Sequence, residues 1–209
     1  MVVAHGGESV STQPTSAYQL AVLRMIPLAA AIRHAVRGQG VVVRRSRFEV
    51  RGWNDSDASP VRDLTRLLDD VRDEVGPVPV VLVGHSMGAR AALRAAGHPS
   101  VTAVAGLAPW LPPGEPVDQL SGRRILLAHG TADAVTRPAD TWVYAERACA
   151  LTSVTAIEVR TGEHTMLWRA PLWHGLAAAF TCLSLGLPTP SGSAAAAVCD
   201  ARQTQRTLV

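Results

Sequence analysis

Residues 80–94 read VVLVGHSMGARAALR, and this stretch decides the fold of the chain. Its apolar, β-branched start is typical of a buried strand, and its alanine-rich end is typical of a helix. Between them, Gly84 and Gly88 flank Ser86 in a turn so tight that side chains at the two glycine positions would collide. The pattern predicts a strained Ser86 whose hydroxyl projects above the sheet, open to an incoming carbonyl group.

Strand-like and helical segments alternate along the rest of the chain. We predict six strands, at residues 2–5, 40–51, 78–84, 101–107, 124–129 and 154–159. Helical patterns lie between most of them, at residues 17–37, 61–75, 89–96 and 139–150, and a further one follows the last strand, at residues 167–185. Right-handed crossovers between such strands give a mostly parallel sheet with helices on both faces, so the predicted fold class is α/β, a three-layer αβα sandwich.

One domain is enough to account for a chain of 209 residues. We assign residues 1–186 to this domain. Residues 187–209 lose periodicity and are rich in proline, serine and glycine, so we predict a flexible C-terminal tail. Within residues 40–51, Arg45, Arg47 and Glu49 alternate with Ser46 and Phe48, which predicts an edge strand with one face in water.

The composition argues against several functional classes. All 20 basic residues are arginine, the net charge is +3, and basic and acidic residues interleave along residues 62–73. That mixture is typical of a solvated helix face, so we expect no nucleic-acid partner. No apolar run reaches membrane-spanning length and no secretory signal is visible, so we expect a cytoplasmic protein without a membrane partner. The three cysteines have neither C-x-x-C nor metal-site spacing, and we expect no disulfide framework.

Two further residues stand where a nucleophilic serine needs partners. Such a serine requires a base to take its proton and an acid to orient that base. Asp133 follows the predicted strand at residues 124–129, and His164 follows the strand at residues 154–159. Both lie beyond the carboxyl ends of parallel strands, where open α/β sheets build their sites. We assign Ser86 as nucleophile, His164 as base and Asp133 as acid.

Each of these partners has a competitor in the sequence. Asp133 is also suited to cap a turn, and Asp140 is a second carboxylate, although it falls within the following helix. His174 competes with His164, but its neighbours (PLWHGLAA, residues 171–178) are typical of helix packing. Two more histidines adjoin strands and fit core positions with satisfied hydrogen bonds: His85 and His129.

Backbone amides must stabilise the negative charge that develops on the substrate oxygen. The amide of Met87, at the start of the helix after Ser86, is one donor, and the helix dipole adds a favourable field. The second donor is expected from the loop after the first strand, HGGE at residues 5–8. We assign it to Gly7, with Glu8 open as the alternative because sequence does not decide which amide points inward.

Four motifs resemble those of the α/β-hydrolase superfamily: HGG at residues 5–7, GHSMG at 84–88, HGTAD at 129–133 and GEH at 162–164. The resemblance covers nearly the whole chain except its tail, and the chain order serine, acid, histidine is that of the superfamily. The sequence looks closest to compact, capless serine esterases of the dienelactone-hydrolase-like group, with serine instead of cysteine in the turn. The resemblance implies a six-stranded sheet that lacks the family's first β-hairpin and its cap domain.

The function implied is that of a serine hydrolase cleaving a carboxylic ester or thioester through an acyl-enzyme, without metal or organic cofactor. We expect a small-molecule substrate and a monomer or homodimer. The candidate pocket residues are Glu8, Trp110, Leu167 and Trp168. The same residues also suit acyl transfer, cyclisation or C–C hydrolysis. A peptidase has no specific motif in support, and a hydrolase-derived binding protein would not need an aligned nucleophile, base and acid.

Overall fold

The computed structural model describes residues 1–200 and 207–209. Its strands are β1 (Val2–Ala4), β2 (Arg44–Arg45), β3 (Val80–His85), β4 (Val101–Leu107), β5 (Arg124–Gly130), β6 (Ser153–Val159) and β7 (Thr207–Leu208). Its helices are α1 (Leu20–Leu23), α2 (Met25–Ala35), α3 (Ser59–Val75), α4 (Met87–Arg94), α5 (Pro138–Cys149), α6 (Ala170–Ser184) and α7 (Ser193–Asp200). None of the helices in the described ranges combines the length and apolar character that a membrane span needs.

The strands form one sheet in the order β2-β1-β3-β4-β5-β6-β7, and every strand pair in it is parallel. The α/β class and the three-layer arrangement are therefore confirmed. The prediction of six strands is wrong, because the described residues contain a seventh, β7, paired with β6. All carboxyl ends of the strands meet at one edge, where the loops after β1, β3, β5 and β6 come together.

Helices cover both faces of the sheet, which explains why the central strands are continuously apolar. Alternate residues of β3 contribute to two separate clusters, with Val81 and Val83 on one side and Val80 and Leu82 on the other. Helices α2, α6 and α7 pack on the first face, and helices α3, α4 and α5 pack on the second. A strand buried on both sides has no need of polar alternation.

The strand predicted at residues 40–51 is much shorter, because only Arg44–Arg45 pair with β1. It does lie at the edge of the sheet, as predicted. Beyond it the chain leaves the sheet and bonds instead to the loop after β1: the amide of Thr15 donates to the Glu49 carbonyl at 3.0 Å. The alternating burial of this segment thus comes from a local pairing of two loops and not from a long strand.

The segment predicted as a flexible tail contains two ordered elements, so that prediction needs correction. Helix α7 buries Ala195, Ala197 and Val198 in the same cluster as α2 and α6. Small side chains allow a close approach: a Cβ atom placed on Gly175 of α6 would lie 2.8 Å from the Cβ of Ala194. An alanine-rich helix carries almost no hydrophobic periodicity, which is why the sequence pattern missed it. The predicted tail also includes residues 201–206, which lie outside the described residues.

No cap domain interrupts the chain between β4 and β5, a stretch that the structure describes in full. Residues 108–123 form a loop with one 3₁₀ turn, Asp118–Leu120. Its Glu115 is buried and accepts hydrogen bonds from Arg90 (2.6 Å) and Arg94 (2.8 Å) of α4. The loop is thereby fixed beside the helix that begins after Ser86.

Candidate active site

Ser86 lies in the turn between β3 and α4 with φ of 54° and ψ of −119°. A Cβ atom on Gly84 would lie 2.4 Å from the Gly88 carbonyl oxygen, and one on Gly88 would lie 2.3 Å from the His5 carbonyl oxygen. These distances are far below van der Waals contact, so the two glycines are required for β1, β3 and α4 to meet here. The strained conformation at Ser86 costs about 1–3 kcal/mol, which the surrounding packing must offset.

The structure brings Ser86, His164 and Asp133 into one continuous hydrogen-bonded chain. Ser86 Oγ lies 3.0 Å from His164 Nε2, and His164 Nδ1 lies 2.8 Å from Asp133 Oδ2. The Asp133 side chain is fully buried, whereas that of His164 is 11% exposed. These distances let the serine hydroxyl donate to Nε2 while the Nδ1 proton is held by the carboxylate.

Asp133 is held by the backbone and side chains of its own loop. The amides of Val135 and Thr136 donate to Oδ1 at 2.8 and 2.9 Å, and the Thr136 hydroxyl donates to Oδ2 at 2.9 Å. Burial alone would raise the pKa of this carboxyl, but hydrogen bonds from His129, His164, Thr136 and Val135 outweigh it and hold the pKa far below its usual range. Asp133 therefore stays ionised.

The loop that carries His164 is supported at two points. The carbonyl oxygen of His164 accepts a hydrogen bond from His85 Nε2 at 2.8 Å. Glu163 accepts the amides of Thr165 and Trp168 at 2.6 and 2.7 Å. Although partial burial would raise the pKa of Glu163, a hydrogen bond from the Thr165 hydroxyl and those from the backbone amides lower it. The carboxylate thus closes the turn directly after His164.

Neither the Gly7 amide nor the Met87 amide, both beside Ser86, makes an internal hydrogen bond within the described residues. The Met87 amide is at the N-terminus of α4, where the first amides of any helix lack an intrahelical acceptor. The Glu8 amide, by contrast, donates to the Arg51 carbonyl at 2.9 Å. Of the two alternatives left open by the sequence, Gly7 is therefore the one with a free donor.

His5 and Met87 hold the loop that contains Gly7. His5 Nδ1 donates to the Gly6 carbonyl at 2.6 Å, while Nε2 accepts the Phe48 amide at 3.1 Å. The Gly6 carbonyl and the Gly7 amide belong to one trans peptide, so fixing the first turns the second to the opposite side. Burial lowers the pKa of His5, and the ring stays neutral. A Cβ on Gly7 would lie only 2.3 Å from the backbone carbonyl oxygen of Arg51, so this position requires glycine.

The candidate pocket residues occupy different environments. Trp110 is half-buried, and its ring lies over the guanidinium group of Arg90, with 4.5 Å between Cζ and the ring centroid. Leu167 and Trp168 are 69% and 66% exposed, and Glu8 is exposed beside Gly7. The Trp110 amide also donates to the Ser86 carbonyl at 3.3 Å, which places this residue beside the turn, whereas the other three side chains are exposed to solvent.

The competing residues are not brought to this site. Asp140 lies in the first turn of α5, 3.9 Å from Arg137 Nε, and His174 lies within α6. The sequence reasoning did overlook a role for two histidines that it considered core residues. His85 contacts the His164 carbonyl, and His129 Nε2 lies 3.0 Å from Asp133 Oδ2. The signal was the position of each histidine at a strand end, directly before Ser86 for His85 and four residues before Asp133 for His129.

Cavities elsewhere in the molecule do not compete with this site. One, of about 470 Å³, is lined largely by charged residues near the β2 edge and on α3, and contains none of Ser86, His164 or Asp133. An apolar cavity of about 400 Å³ opens at the opposite, amino-terminal edge of the sheet. Among the described residues, no three His, Cys, Asp or Glu side chains are arranged to hold a metal ion.

Solved structures of similar fold come from several bacteria. A putative α/β hydrolase from Agrobacterium tumefaciens is 17% identical, with a TM-score of 0.65 over 91% of this chain and 88% of that one. An α/β serine hydrolase without a lid from Xanthomonas campestris is 19% identical, with a TM-score of 0.61 over 91% of this chain and 84% of that one. Est1E from Butyrivibrio proteoclasticus, solved with ferulic acid bound, is 11% identical, with a TM-score of 0.64 over 88% of this chain and 89% of that one.

At these identities the likeness concerns the fold. No curated protein matches the sequence. The sequence does match one family, described as the alpha/beta hydrolase family, over residues 1–204. With the parallel sheet and the turn around Ser86, this match establishes that the chain belongs to the alpha/beta hydrolase family.

Proposed function

We propose that this hydrolase cleaves a carboxylic ester or thioester through an acyl-enzyme formed on Ser86. The observation that carries the proposal is the unbroken hydrogen-bonded chain from Ser86 Oγ through His164 to Asp133, at 3.0 and 2.8 Å. A base in contact with the hydroxyl of a conformationally strained serine and oriented by a buried carboxylate is suited to nucleophilic acyl transfer.

In the first half-reaction, Ser86 Oγ attacks the substrate carbonyl carbon while His164 Nε2 takes the hydroxyl proton. The electron pair of the C=O bond moves onto the oxygen, where the Gly7 and Met87 amides donate hydrogen bonds to it. Collapse of this intermediate breaks the bond to the leaving group, which receives the proton from His164. Removal of one such amide donor costs roughly 10²–10³ in rate in comparable enzymes.

In the second half-reaction, His164 takes a proton from water as the water oxygen attacks the acyl carbon. The acid product leaves when the bond to Ser86 Oγ breaks, and Oγ regains its proton from His164. Asp133 remains a carboxylate throughout and stabilises the imidazolium form of His164 in both halves. The low pKa of the Asp133 carboxyl supports this part of the proposal, because a carboxyl that stays charged at all working pH values is required.

The surroundings favour small or flexible acyl groups. No lid domain stands over Ser86, because the β4–β5 loop is short and is fixed to α4 through Glu115. In this proposal, half-buried Trp110 serves as one apolar wall, and the exposed side chains of Leu167, Trp168 and Glu8 border the open side. A ligand that enters such a cleft meets aromatic and aliphatic side chains close to the proposed amide donors.

A fluorophosphonate probe together with short-chain nitrophenyl esters tests the proposal. We expect labelling and turnover in the wild type, no labelling of Ser86→Ala, and a roughly ten-thousand-fold or greater loss of kcat in Ser86→Ala and His164→Ala. Ser56→Ala, an exposed serine outside the site, is the matched control and keeps both signals. Labelling or turnover that persists in Ser86→Ala contradicts the nucleophile assignment. Labelling without ester turnover indicates acyl transfer or C–C cleavage instead of hydrolysis.

A further inference from the structure

A second histidine contacts the carboxylate that orients His164. His129 is fully buried near the end of β5, and its Nε2 lies 3.0 Å from Asp133 Oδ2. The same oxygen accepts His164 Nδ1 at 2.8 Å. One carboxylate oxygen therefore lies between two imidazole rings, and the proposed mechanism assigns a task to only one of them.

The hydrogen-bond partners of His129 define its tautomer. Its Nδ1 lies 2.7 Å from the hydroxyl oxygen of Thr141, a fully buried residue of α5. A carboxylate can only accept, so the proton of a neutral His129 must be on Nε2, facing Asp133. Nδ1 is then an acceptor, and the Thr141 hydroxyl donates to it. The chain of donors runs from Thr141 through His129 to Asp133.

Asp133 does not need His129 to be held in place. Its Oδ1 already accepts the amides of Val135 and Thr136, and the Thr136 hydroxyl donates to Oδ2. The bond from His129 adds charge withdrawal on the oxygen that faces His164. Each hydrogen bond donated to a carboxylate disperses its negative charge and weakens its attraction for a neighbouring cation.

We propose that His129 is a positioning residue of the hydrolase, which acts through Asp133 to limit how strongly the carboxylate stabilises protonated His164. This inference rests on the proposed function. With the His129 donor in place, His164 returns to its neutral, base-competent form at lower pH than it would beside an unshared carboxylate. Without that donor, more negative charge remains on Oδ2 and the imidazolium form of His164 persists to higher pH.

Apart from the Thr136 hydroxyl, which lies within 3.3 Å of both rings and also donates to Oδ2, the groups that face these rings do not supply the same effect. The His85 ring packs against the His164 ring at 4.9 Å between centroids, and burial lowers the pKa of His85 to about 3, so this neighbour is neutral. Arg24 and Glu163 are charged residues on the His164 side, but neither is among the residues that hydrogen-bond to Asp133. On the other side, the His129 ring meets the edge of Trp142 at 6.2 Å between centroids, an uncharged contact.

The pH dependence of kcat/KM for a nitrophenyl ester tests the proposal. His129→Phe alone would orphan the Thr141 hydroxyl, so it is combined with Thr141→Val, which removes that hydroxyl. We expect the acid limb of the profile to move to higher pH by about one unit in the double variant. His129→Gln, whose amide can still donate to Asp133, is expected to keep the limb close to its wild-type position. Val143→Ala, an exposed position on the same helix, is the control and leaves the profile unchanged.

An unchanged acid limb in the double variant, or an equal shift in His129→Gln, would overturn the proposal and leave His129 as a packing residue. If the double variant fails to fold, Thr141→Val alone decides: without the Thr141 donor to Nδ1, the Nε2 proton of His129 is a weaker donor to Asp133, so a smaller shift in the same direction is expected, and no shift refutes the idea. The protonation of His164 followed by ¹⁵N NMR gives the same comparison without turnover. A shift seen by NMR in an enzyme that cleaves no ester would contradict the proposed function and still support this inference.

Discussion

The two sides of the candidate site are built by different means. On the nucleophile side, β1, β3 and α4 meet through glycines, and a Cβ at Gly84 or Gly88 would lie within 2.4 Å of backbone atoms. On the base side, the loops after β5 and β6 are held by side chains that hydrogen-bond to one another and to the backbone. Three residues of the His164 loop that are not glycine have positive φ: Thr161, Met166 and Arg169.

The difference teaches that one half of the site is defined by steric exclusion and the other by polar contacts. Close backbone contacts leave no room for an added atom, but their stability depends little on pH or charge. Polar contacts can be replaced one at a time, each with a moderate effect, and several of them depend on protonation. Substitutions on the two sides should therefore differ in kind as well as in size.

The largest effect is expected from Gly84→Ala on the nucleophile side. The added methyl group would overlap the backbone of α4, and neither β3 nor α4 can move without disturbing the core. We expect a loss of at least about 3 kcal/mol in the free energy of unfolding, measured by urea denaturation. Gly97→Ala is the control, because its Cβ would meet only the Gln119 Cβ at 3.4 Å. A stability loss for Gly84→Ala no greater than for this control would refute the steric account.

Gly7→Ala tests the proposed amide donor on the same side. The new Cβ would overlap Met87 Cε and the Arg51 carbonyl oxygen, both at 2.3 Å, so the loop must shift away from Ser86. We expect kcat/KM for a nitrophenyl ester to fall about 100-fold while the fold is kept. Ser9→Ala, an exposed residue of the same loop, is expected to stay near the wild-type value. Unchanged kinetics for Gly7→Ala would exclude Gly7 as a donor.

A third prediction concerns stability at acid pH, which should depend on the base side. Burial lowers the pKa of His85 to about 3 from its ordinary 6.5, so the folded protein binds fewer protons here than the unfolded chain between these values. Stability therefore rises with pH across this range and falls as the pH drops below 6.5. Between pH 7 and pH 5 this residue should account for a loss of about 2 kcal/mol, measured by urea unfolding.

His85→Gln keeps a donor for the His164 carbonyl and has no ionisation in this range. It should lose about 2 kcal/mol less than the wild type between pH 7 and pH 5, while His34→Gln, an exposed histidine of α2, should match the wild type. Equal losses in His85→Gln and the wild type would show that His85 is not buried as a neutral ring. The range stops at pH 5 so that protonation of the Asp133 carboxyl does not contribute.

The smallest effect is expected from Glu163→Gln. The neutral amide keeps one acceptor oxygen but loses the second, so only one of the amides of Thr165 and Trp168 remains satisfied. We expect the His164 loop to loosen and kcat to fall about tenfold, with little change in KM. Glu146→Gln, an exposed carboxylate on α5, should have no effect on kcat. A Glu163→Gln enzyme with wild-type kcat would place the support of this loop elsewhere.

The same division marks what could be predicted from the sequence. Gly84 and Gly88 predict the turn around Ser86, because only a residue without a Cβ atom fits at these two positions. Helix α7 was not predicted, because it is built of small residues that pack on α6 and carry no periodic pattern. The strand expected at residues 40–51 failed for a related reason, because its alternation is equally well satisfied by pairing with the loop at residues 8–15.

The sequence by itself determined the α/β class, the parallel sheet and the position of Ser86, because local sterics and hydrophobic pattern act between residues that are near neighbours in the chain. Only the tertiary structure decided that Gly7 and not Glu8 has a free amide, that Glu163 closes the His164 turn, and that His129 shares the Asp133 carboxylate. The first of these rests on the distant contact between Glu8 and Arg51, and the other two join residues only four or five positions apart. In each case a hydrogen bond depends on distance and direction that residue type alone does not carry.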